Sequence, residues 1–244
     1  MHEALRTAFE RICRPLDDAR FERRHGYDFL AVQPIPIALF NGVWPLDDAA
    51  APVLSDALAE LDELGLPSSV QVRSGRTPQF ETEAKRVGLV KETQMPGMVA
   101  REQDLAAGAP AGLEVTRVAG EADLHEAMTT AASGFGAPTS LMAPLYTNEV
   151  LALEGLSCYL GRASGRAVST SIGFGVDSTV GIFNVATLPD QRNLGYGAAL
   201  TAAAARGGFA DGAELAWLQS SALGLSVYRG LGFREVETYL LLTR

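Results

Sequence analysis

The run Arg192-Asn193-Leu194-Gly195-Tyr196-Gly197 joins an apolar, strand-like stretch (Val180 to Thr187) to an alanine-rich, helical one (Ala198 to Ala205). A glycine-bearing turn at a helix start points several free backbone N–H groups at one spot, and the helix dipole favours negative charge there. Glycine lets the backbone approach a ligand closely, and Arg192 adds a fixed positive charge at the rim. The chemistry predicted is anion binding, above all of a pyrophosphate. A second signal lies downstream, where Val227-Tyr228-Arg229-Gly230-Leu231-Gly232-Phe233 follows an apolar strand that ends at Gln219.

The elements around these segments read from periodicity and punctuation. Leu5, Phe9, Ile12 and Leu16 recur at helical spacing, which makes the first 20 or so residues an amphipathic helix. Strands follow at Tyr27 to Gln33 and Ile35 to Val43, then a helix from about Asp48 to Leu64 with Pro52 in its first turn and Gly65 past its end. Ser69 to Arg73 alternates as a strand, Gln79 to Arg86 is helical and Lys91 to Arg101 extended. The small residues with Pro and Gly from Leu105 to Gly112 cannot build a core and form the linker. Beyond it come a strand (Leu113 to Val118), helices at Ala122 to Ala132 and Leu141 to Leu153, and strands at Ser157 to Arg162 and Ala167 to Val176. After the glycine turn and its helix the chain ends in a strand (Glu214 to Gln219), a short helix (Leu223 to Leu231) and an extended tail (Glu235 to Thr243).

Two anchors suggest that the halves are copies. Leu39-Phe40-Asn41 lies 143 residues before Ile182-Phe183-Asn184, and Val87-Gly88-Leu89 lies 144 residues before Leu231-Gly232-Phe233. A nearly constant offset with the same element order between the anchors is the pattern of internal duplication. The domains expected are therefore 1–104, a linker over 105–112, and 113–244.

At 244 residues and 47% hydrophobic side chains, the chain can bury a real core. A formal charge of −9 disfavours nucleic acid as partner and weakly favours a cationic small molecule. Cys13 and Cys158 are too few for a disulfide framework or a thiolate metal site. His2, His25 and His125 are too scattered for a histidine cluster, so no metal is expected. The first residues are charged throughout and lack the apolar core of a secretion signal. No apolar run approaches the roughly 20 residues that span a bilayer. The expectation is a cytoplasmic chain that neither crosses nor binds a membrane.

Together the glycine turn and the Tyr228 segment resemble the GNAT acetyltransferase superfamily, which transfers an acyl group from coenzyme A, usually to an amine. The resemblance follows element order from about Glu114 to the C-terminus, and its motifs lie between Phe183 and Phe233. It implies a mixed, mostly antiparallel α/β (α+β) fold flanked by helices, with two related domains. It also implies acetyl-coenzyme A as co-substrate. The strand before the turn would pair its exposed backbone with the pantetheine arm at Val185, Ala186 and Thr187. The pyrophosphate would rest on the amides of Arg192, Asn193, Leu194, Gly195, Tyr196, Gly197 and Ala198. Tyr228 matches the family's tyrosine beside the thioester sulfur, a general acid. Ser221 stands where many members carry a cofactor-contacting asparagine, and serine has less reach.

The chemistry agrees on the donor side. A thiolate with a pKa near 8.5 can take a proton from a phenol of pKa near 10 when both are held in a dry site. The acceptor side is incomplete. An alkylamine is only about one part in a thousand neutral near pH 7.4, a penalty of roughly 4 kcal/mol that a base or desolvation must offset. Some members carry a glutamate on the signature strand for this purpose, but here the position is Gly181, and Val180 to Thr187 holds no ionisable side chain. Glu149, Glu154, an ordered water, or no protein base all stay open.

In the N-terminal half the cradle position reads Trp44-Pro45-Leu46-Asp47-Asp48-Ala49-Ala50-Ala51-Pro52, and Ala84 stands at the place of Tyr228. Carboxylates repel a pyrophosphate and proline has no N–H, so this half is expected to keep the fold without binding coenzyme A. Trp44 and Trp217 read as core aromatics, His125 as a structural or solvated residue, and Asp17-Asp18 and Asp47-Asp48 as helix N-terminal charges. The leading function is an N-acetyltransferase acting on a primary amine of a small molecule by direct attack, as a monomer or homodimer. Neither cysteine lies near the signature, which argues against a covalent intermediate. A coenzyme A binding protein without turnover is the alternative. A dinucleotide-binding oxidoreductase meets Leu200 where the third glycine of its fingerprint belongs.

Overall fold

The computed structural model describes residues 1–106 and 108–244. In chain order its first elements are α1 (His2–Cys13), β1 (Ala19–Arg24), β2 (Tyr27–Val32), β3 (Asn41–Pro45), α2 (Leu54–Glu63), β4 (Ser69–Arg73), α3 (Pro78–Arg86) and β5 (Lys91–Ala100). Then come β6 (Leu113–Arg117), α4 (Glu121–Phe135), α5 (Thr139–Met142), α6 (Asn148–Leu151), β7 (Leu156–Ala163), β8 (Arg166–Val176) and β9 (Thr179–Thr187). The chain closes with α7 (Tyr196–Ala210), β10 (Leu215–Gln219), α8 (Leu225–Gly230) and β11 (Arg234–Thr243).

These elements form two compact units. The first holds Met1–Ala8, Met98–Leu218 and Leu223–Arg234, and the second Phe9–Gly97, Gln219–Ala222 and Glu235–Arg244. In the first, the strands run in the order β10-β9-β8-β7-β6, antiparallel except for the parallel pair β9 and β10. In the second the order is β1-β2-β3-β4-β11, with β3 and β4 as the parallel pair. Each unit thus has antiparallel strands, then a crossover helix (α2 or α7) that returns to a parallel neighbour. This mixed pairing is the fold class expected, and it is not the all-parallel sheet of a dinucleotide-binding domain.

Packing explains the two cores. On α2, Leu54, Ala57, Leu58 and Leu61 line one face at helical spacing and bury against Val43, Val70 and Val72 of the strands beneath. In the first unit, Ala202, Ala205 and Phe209 of α7 meet Val180 and Ile182 of β9 and Leu218 of β10. The alanines of α7 let the helix lie close to the strands, which holds its N-terminus next to the end of β9.

Several boundaries differ from the sequence reading. The first helix ends at Cys13, and Ala19–Arg24 is a strand. Its only large apolar residue is Phe21, so no periodicity announces it, and it exists because it pairs with β2 along its whole length. The expected helix over 141–153 is broken, since Pro144 sits in a tight 3-10 turn between α5 and α6 and Thr147 caps the restart through Val150 N–H. The strand expected from Ile35 begins at Asn41, after a 3-10 turn over Ala38–Phe40.

The C-terminal tail is β11 as expected, but it belongs to the second unit, where Tyr239–Thr243 pairs with Arg73–Ser69 and Leu240 and Leu242 enter the core. The compact units therefore interleave along the chain instead of meeting at one cut over 105–112. Ala107 of that stretch lies outside the described residues.

Candidate functional site

Strands β9 and β10 stay together for only three residue pairs, Thr179 with Leu215, Val180 with Ala216 and Gly181 with Trp217. Beyond Gly181, β9 runs on to Thr187 while still pairing with β8, up to Ser169 opposite Thr187. Its other backbone edge, from Ile182 to Thr187, has no strand partner among the described residues. A row of peptide groups is thus left open to an extended ligand. Pairing with β8 slips by one residue between Ile172–Phe183 and Thr170–Ala186, a bulge at which Asn184 takes a left-handed φ of 49°. The bulge sets Val185 and Thr187 toward the first turn of α7, beside Gly197, and Ala186 toward Gly134 of α4.

The turn leaves β9 through Leu188 and a 3-10 segment, Pro189–Gln191. Asn193 and Gly195 then both adopt positive φ, 63° and 81°, which folds the backbone into a concave nest. Gly195 is the N-cap of α7 and brings no side chain, so no side-chain cap satisfies the helix start. The first bond of this turn runs from Ala199 N–H to Gly195 O, so the amides of Tyr196, Gly197 and Ala198 precede the point where the helix supplies acceptors. An anion fits there by the chemistry of the donors alone.

Arg192 is exposed at the rim, and its Nη2 donates to Gly134 O at 2.7 Å, in the last turn of α4. The guanidinium is therefore anchored at the negative end of α4 beside the nest. Leu194 is exposed. Asp190, the one acid in the turn, is paired with Arg166 at 2.8 Å, and this bond holds its carboxyl below the ordinary range.

Tyr228, on α8, is half-buried against the core of the first unit, with its ring centroid 6.2 Å from that of Phe233. Burial pushes its phenol up to about 12, with a smaller downward pull from the Thr201 hydroxyl of α7. Thr201 is fully buried, and its Oγ1 donates to Gly197 O at 2.8 Å.

Gly181 has no room for a side chain. A Cβ there would lie 2.5 Å from Trp217 Cζ2 and 2.7 Å from Phe183 Cε2, and these two rings stack edge-on at 5.3 Å. Trp217 is buried with its Nε1 bonded to Thr179 Oγ1 at 3.0 Å, and Trp44 is buried against Phe9 and Phe21. Both tryptophans are core residues. Ser221 is exposed and belongs to the second unit. Glu149 and Glu154 are exposed, on α6 and just after it, and His125 is exposed on α4.

On the face of β8 and β9 that packs against α4, Tyr146 is buried beside Asn184 and Thr170 without a well-formed hydrogen bond to either. Burial raises this phenol well above its usual range. Burial likewise pushes both thiols, Cys13 and Cys158, up to about 12, which leaves them protonated and inert as nucleophiles near neutrality. Among the described residues no group of three or more His, Cys, Asp or Glu side chains could hold a metal ion. No helix among them is long and apolar enough to cross a membrane.

No protein-family model matches the chain, and no curated protein is similar to it. Solved structures do resemble it over nearly its whole length. A GCN5-related N-acetyltransferase from Kribbella flavida superposes with a TM-score of 0.73 at 19% identity, over 99% of this chain and 94% of that one. A GCN5-related N-acetyltransferase from Sphaerobacter thermophilus gives 0.66 at 15% identity, over 93% and 75%. A GCN5-related N-acetyltransferase-like protein from Streptococcus suis 89/1591 gives 0.64 at 12% identity, over the full length of both chains.

Proposed function

We propose that this chain, whose fold is that of the GCN5-related N-acetyltransferases, is an acyl-coenzyme A dependent N-acyltransferase that moves an acetyl group from acetyl-coenzyme A to a primary amine of a small molecule. The observation that carries this reading is the open edge of β9 from Ile182 to Thr187, which leads into the uncapped start of α7. An extended, amide-bearing arm with a pyrophosphate at one end fits both features at once. Val185, Ala186 and Thr187 would pair with the arm. The amides from Arg192 to Ala198 would take the pyrophosphate, and Ser221 stays a candidate contact to the cofactor.

In the reaction the amine attacks the thioester carbonyl, the C–S bond breaks, and the sulfur leaves with the electron pair. Tyr228 gives its proton to that sulfur. Its raised pKa keeps the phenol protonated over the whole neutral range, so the donor form is always present. The thiolate leaves into the same dry surroundings, which raise its own proton affinity in the same direction. The amine must arrive neutral, and β9 offers no base because the rings of Trp217 and Phe183 occupy the space beside Gly181. Desolvation of the amine or a water takes over that role. An acetyl-coenzyme A consumption assay over amines, amino acids, polyamines and aminoglycosides tests the reading, and a chain that fails to bind coenzyme A at all would end it. Tight coenzyme A binding with no transfer to any acceptor would favour the non-catalytic alternative, which the missing base supports.

The second unit is read as a copy of the same plan that has lost its ligand. It shares the antiparallel strands and the parallel crossover pair, and Gly88 and Gly232 take the same unusual φ, 95° and 98°. Where the nest should be, carboxylates of the chain take the place of a phosphate. Asp47 accepts from Ala49 N–H at 2.9 Å, and Asp48 accepts from Phe80 N–H at 3.0 Å, at the start of α3. The cleft beside them, about 520 Å³, is lined by Asp48 and Glu83, whose charge opposes an anion. On this reading the protein works in the cytoplasm, as a monomer or homodimer, with one coenzyme A per chain.

A further inference from the structure

Gly134 is buried in the last turn of α4, where alanine would be the better helix former. Packing explains the glycine. A Cβ there would lie 2.9 Å from the Cβ of Ala186 and 3.0 and 3.1 Å from the backbone N and O of Thr187, and backbone atoms cannot swing aside. The end of α4 thus lies against the backbone of the last residues of β9, where the open edge meets the turn. The carbonyl of Gly134 also lacks its ordinary partner. Its helical donor would be the N–H of residue 138, which is Pro138 and has none. The helix closes without it, with Gly136 in the left-handed region, Gly136 N–H donating to Ser133 O and Ala137 N–H to Ala132 O. Gly134 O is left for an outside donor, and Arg192 Nη2 supplies one at 2.7 Å.

We infer that Gly134 is a positioning residue for the phosphate site. Its missing side chain sets how near α4 comes to β9, and its carbonyl holds the Arg192 guanidinium beside the nest. The inference rests on the coenzyme A reading. A guanidinium carries its N–H donors in a rigid planar fork, so a carbonyl that holds one of them also aims the others. The bond to Gly134 O is the one hydrogen bond of the Arg192 side chain among the described residues, which leaves its other donors for a phosphate oxygen while Nη2 stays in place. An exposed arginine without such an anchor samples many rotamers, and a bound pyrophosphate would have to order it. The anchor removes that cost before the ligand arrives, and the negative end of α4 holds the cation there.

The test is a double-mutant cycle read by calorimetric titration with coenzyme A. Arg192→Met should weaken binding about 10- to 100-fold, the range of a lost hydrogen bond to a charged group. Gly134→Ala keeps the arginine but pushes its anchor off β9, and should weaken binding about 3- to 10-fold, part of that loss. On the Arg192→Met background, Gly134→Ala should change the affinity by less than about twofold. Its Tm should fall, although alanine favours a helix. An equal loss of affinity in both backgrounds means that Gly134 does not act through Arg192 and overturns the inference, as does a Tm that rises with affinity unchanged. A second measurement needs neither ligand nor a buried substitution. In the ligand-free protein, hydrogen exchange at the Gly136 and Ala137 amides should be about 3- to 10-fold faster in Arg192→Met than in the parent, because the last turn has lost its outside donor. Unchanged exchange overturns the anchor. Failure of the parent chain to bind coenzyme A would end the acyl-donor reading and the phosphate role with it, while the exchange result still decides whether Arg192 holds α4.

Discussion

Gly195→Ala makes the nest quantitative. Gly195 holds φ 81° at the N-cap of α7, and its added Cβ would lie 3.1 Å from Pro110 Cγ, a contact that a small shift relieves. Sterics are therefore minor, and the left-handed backbone dominates, costing an L-residue roughly 1–2 kcal/mol. That cost can appear in only two places. If the turn keeps its shape, the folded state carries the strain, and Tm falls by about 2–4 °C per kcal/mol for a chain of this size, with coenzyme A affinity unchanged. If the turn relaxes, stability is kept and the ligand must restore the strained shape, which weakens binding by roughly 5- to 30-fold. The two losses should sum to about 1–2 kcal/mol. Calorimetric titration with coenzyme A and denaturant unfolding on the same protein measure both. Gly195→Asn is the control, because asparagine tolerates this region, and Gly195→Val should exceed Ala because a branched Cβ fits it worst. Pantetheine, which lacks the pyrophosphate, should bind all variants alike. A Gly195→Ala protein unchanged in both stability and coenzyme A affinity, or one that weakens pantetheine equally, refutes the nest.

Tyr228→Phe should lower kcat without changing the Kd for acetyl-coenzyme A, read by steady-state rates and titration calorimetry. With the phenol held at about 12, the acid form persists at every pH below that value. The rate with an alkylamine should therefore rise from pH 7 toward 10 as the amine deprotonates, with no fall from Tyr228, whereas a turnover near pH 9 would contradict the assignment. Titration calorimetry should give one coenzyme A per chain, and two would remove the idea that Asp47 and Asp48 have closed the second unit. Gly181→Glu should not install a base: the Cβ alone meets Trp217 at 2.5 Å. Overpacking of this kind costs about 1–3 kcal/mol, so Tm should drop and the rate should not rise.

What could be read from the sequence was local, and what could not depended on partners distant along the chain. The turn from Thr187 to Tyr196 is legible because a glycine, a strand end and an alanine helix lie within a few residues, and each demands the same geometry. Pro144 lies inside the helix expected over 141–153 and splits it, because its ring and missing N–H do not fit a helix interior. The strand Ala19–Arg24 is different. Its residues have no apolar pattern, and Arg24 finds its place by packing 4.0 Å over the Phe29 ring and pairing with Glu22 and Glu60. Asn184 looks like any strand residue until the pairing of β9 with β8 sets two residues, Asn184 and Val185, opposite the single Ser171, the extra residue that turns Val185 and Thr187 toward α7. The same holds for β11, whose consecutive leucines, Leu240 to Leu242, would suit any open edge; the choice of β4 is made by the sheet and not by the strand.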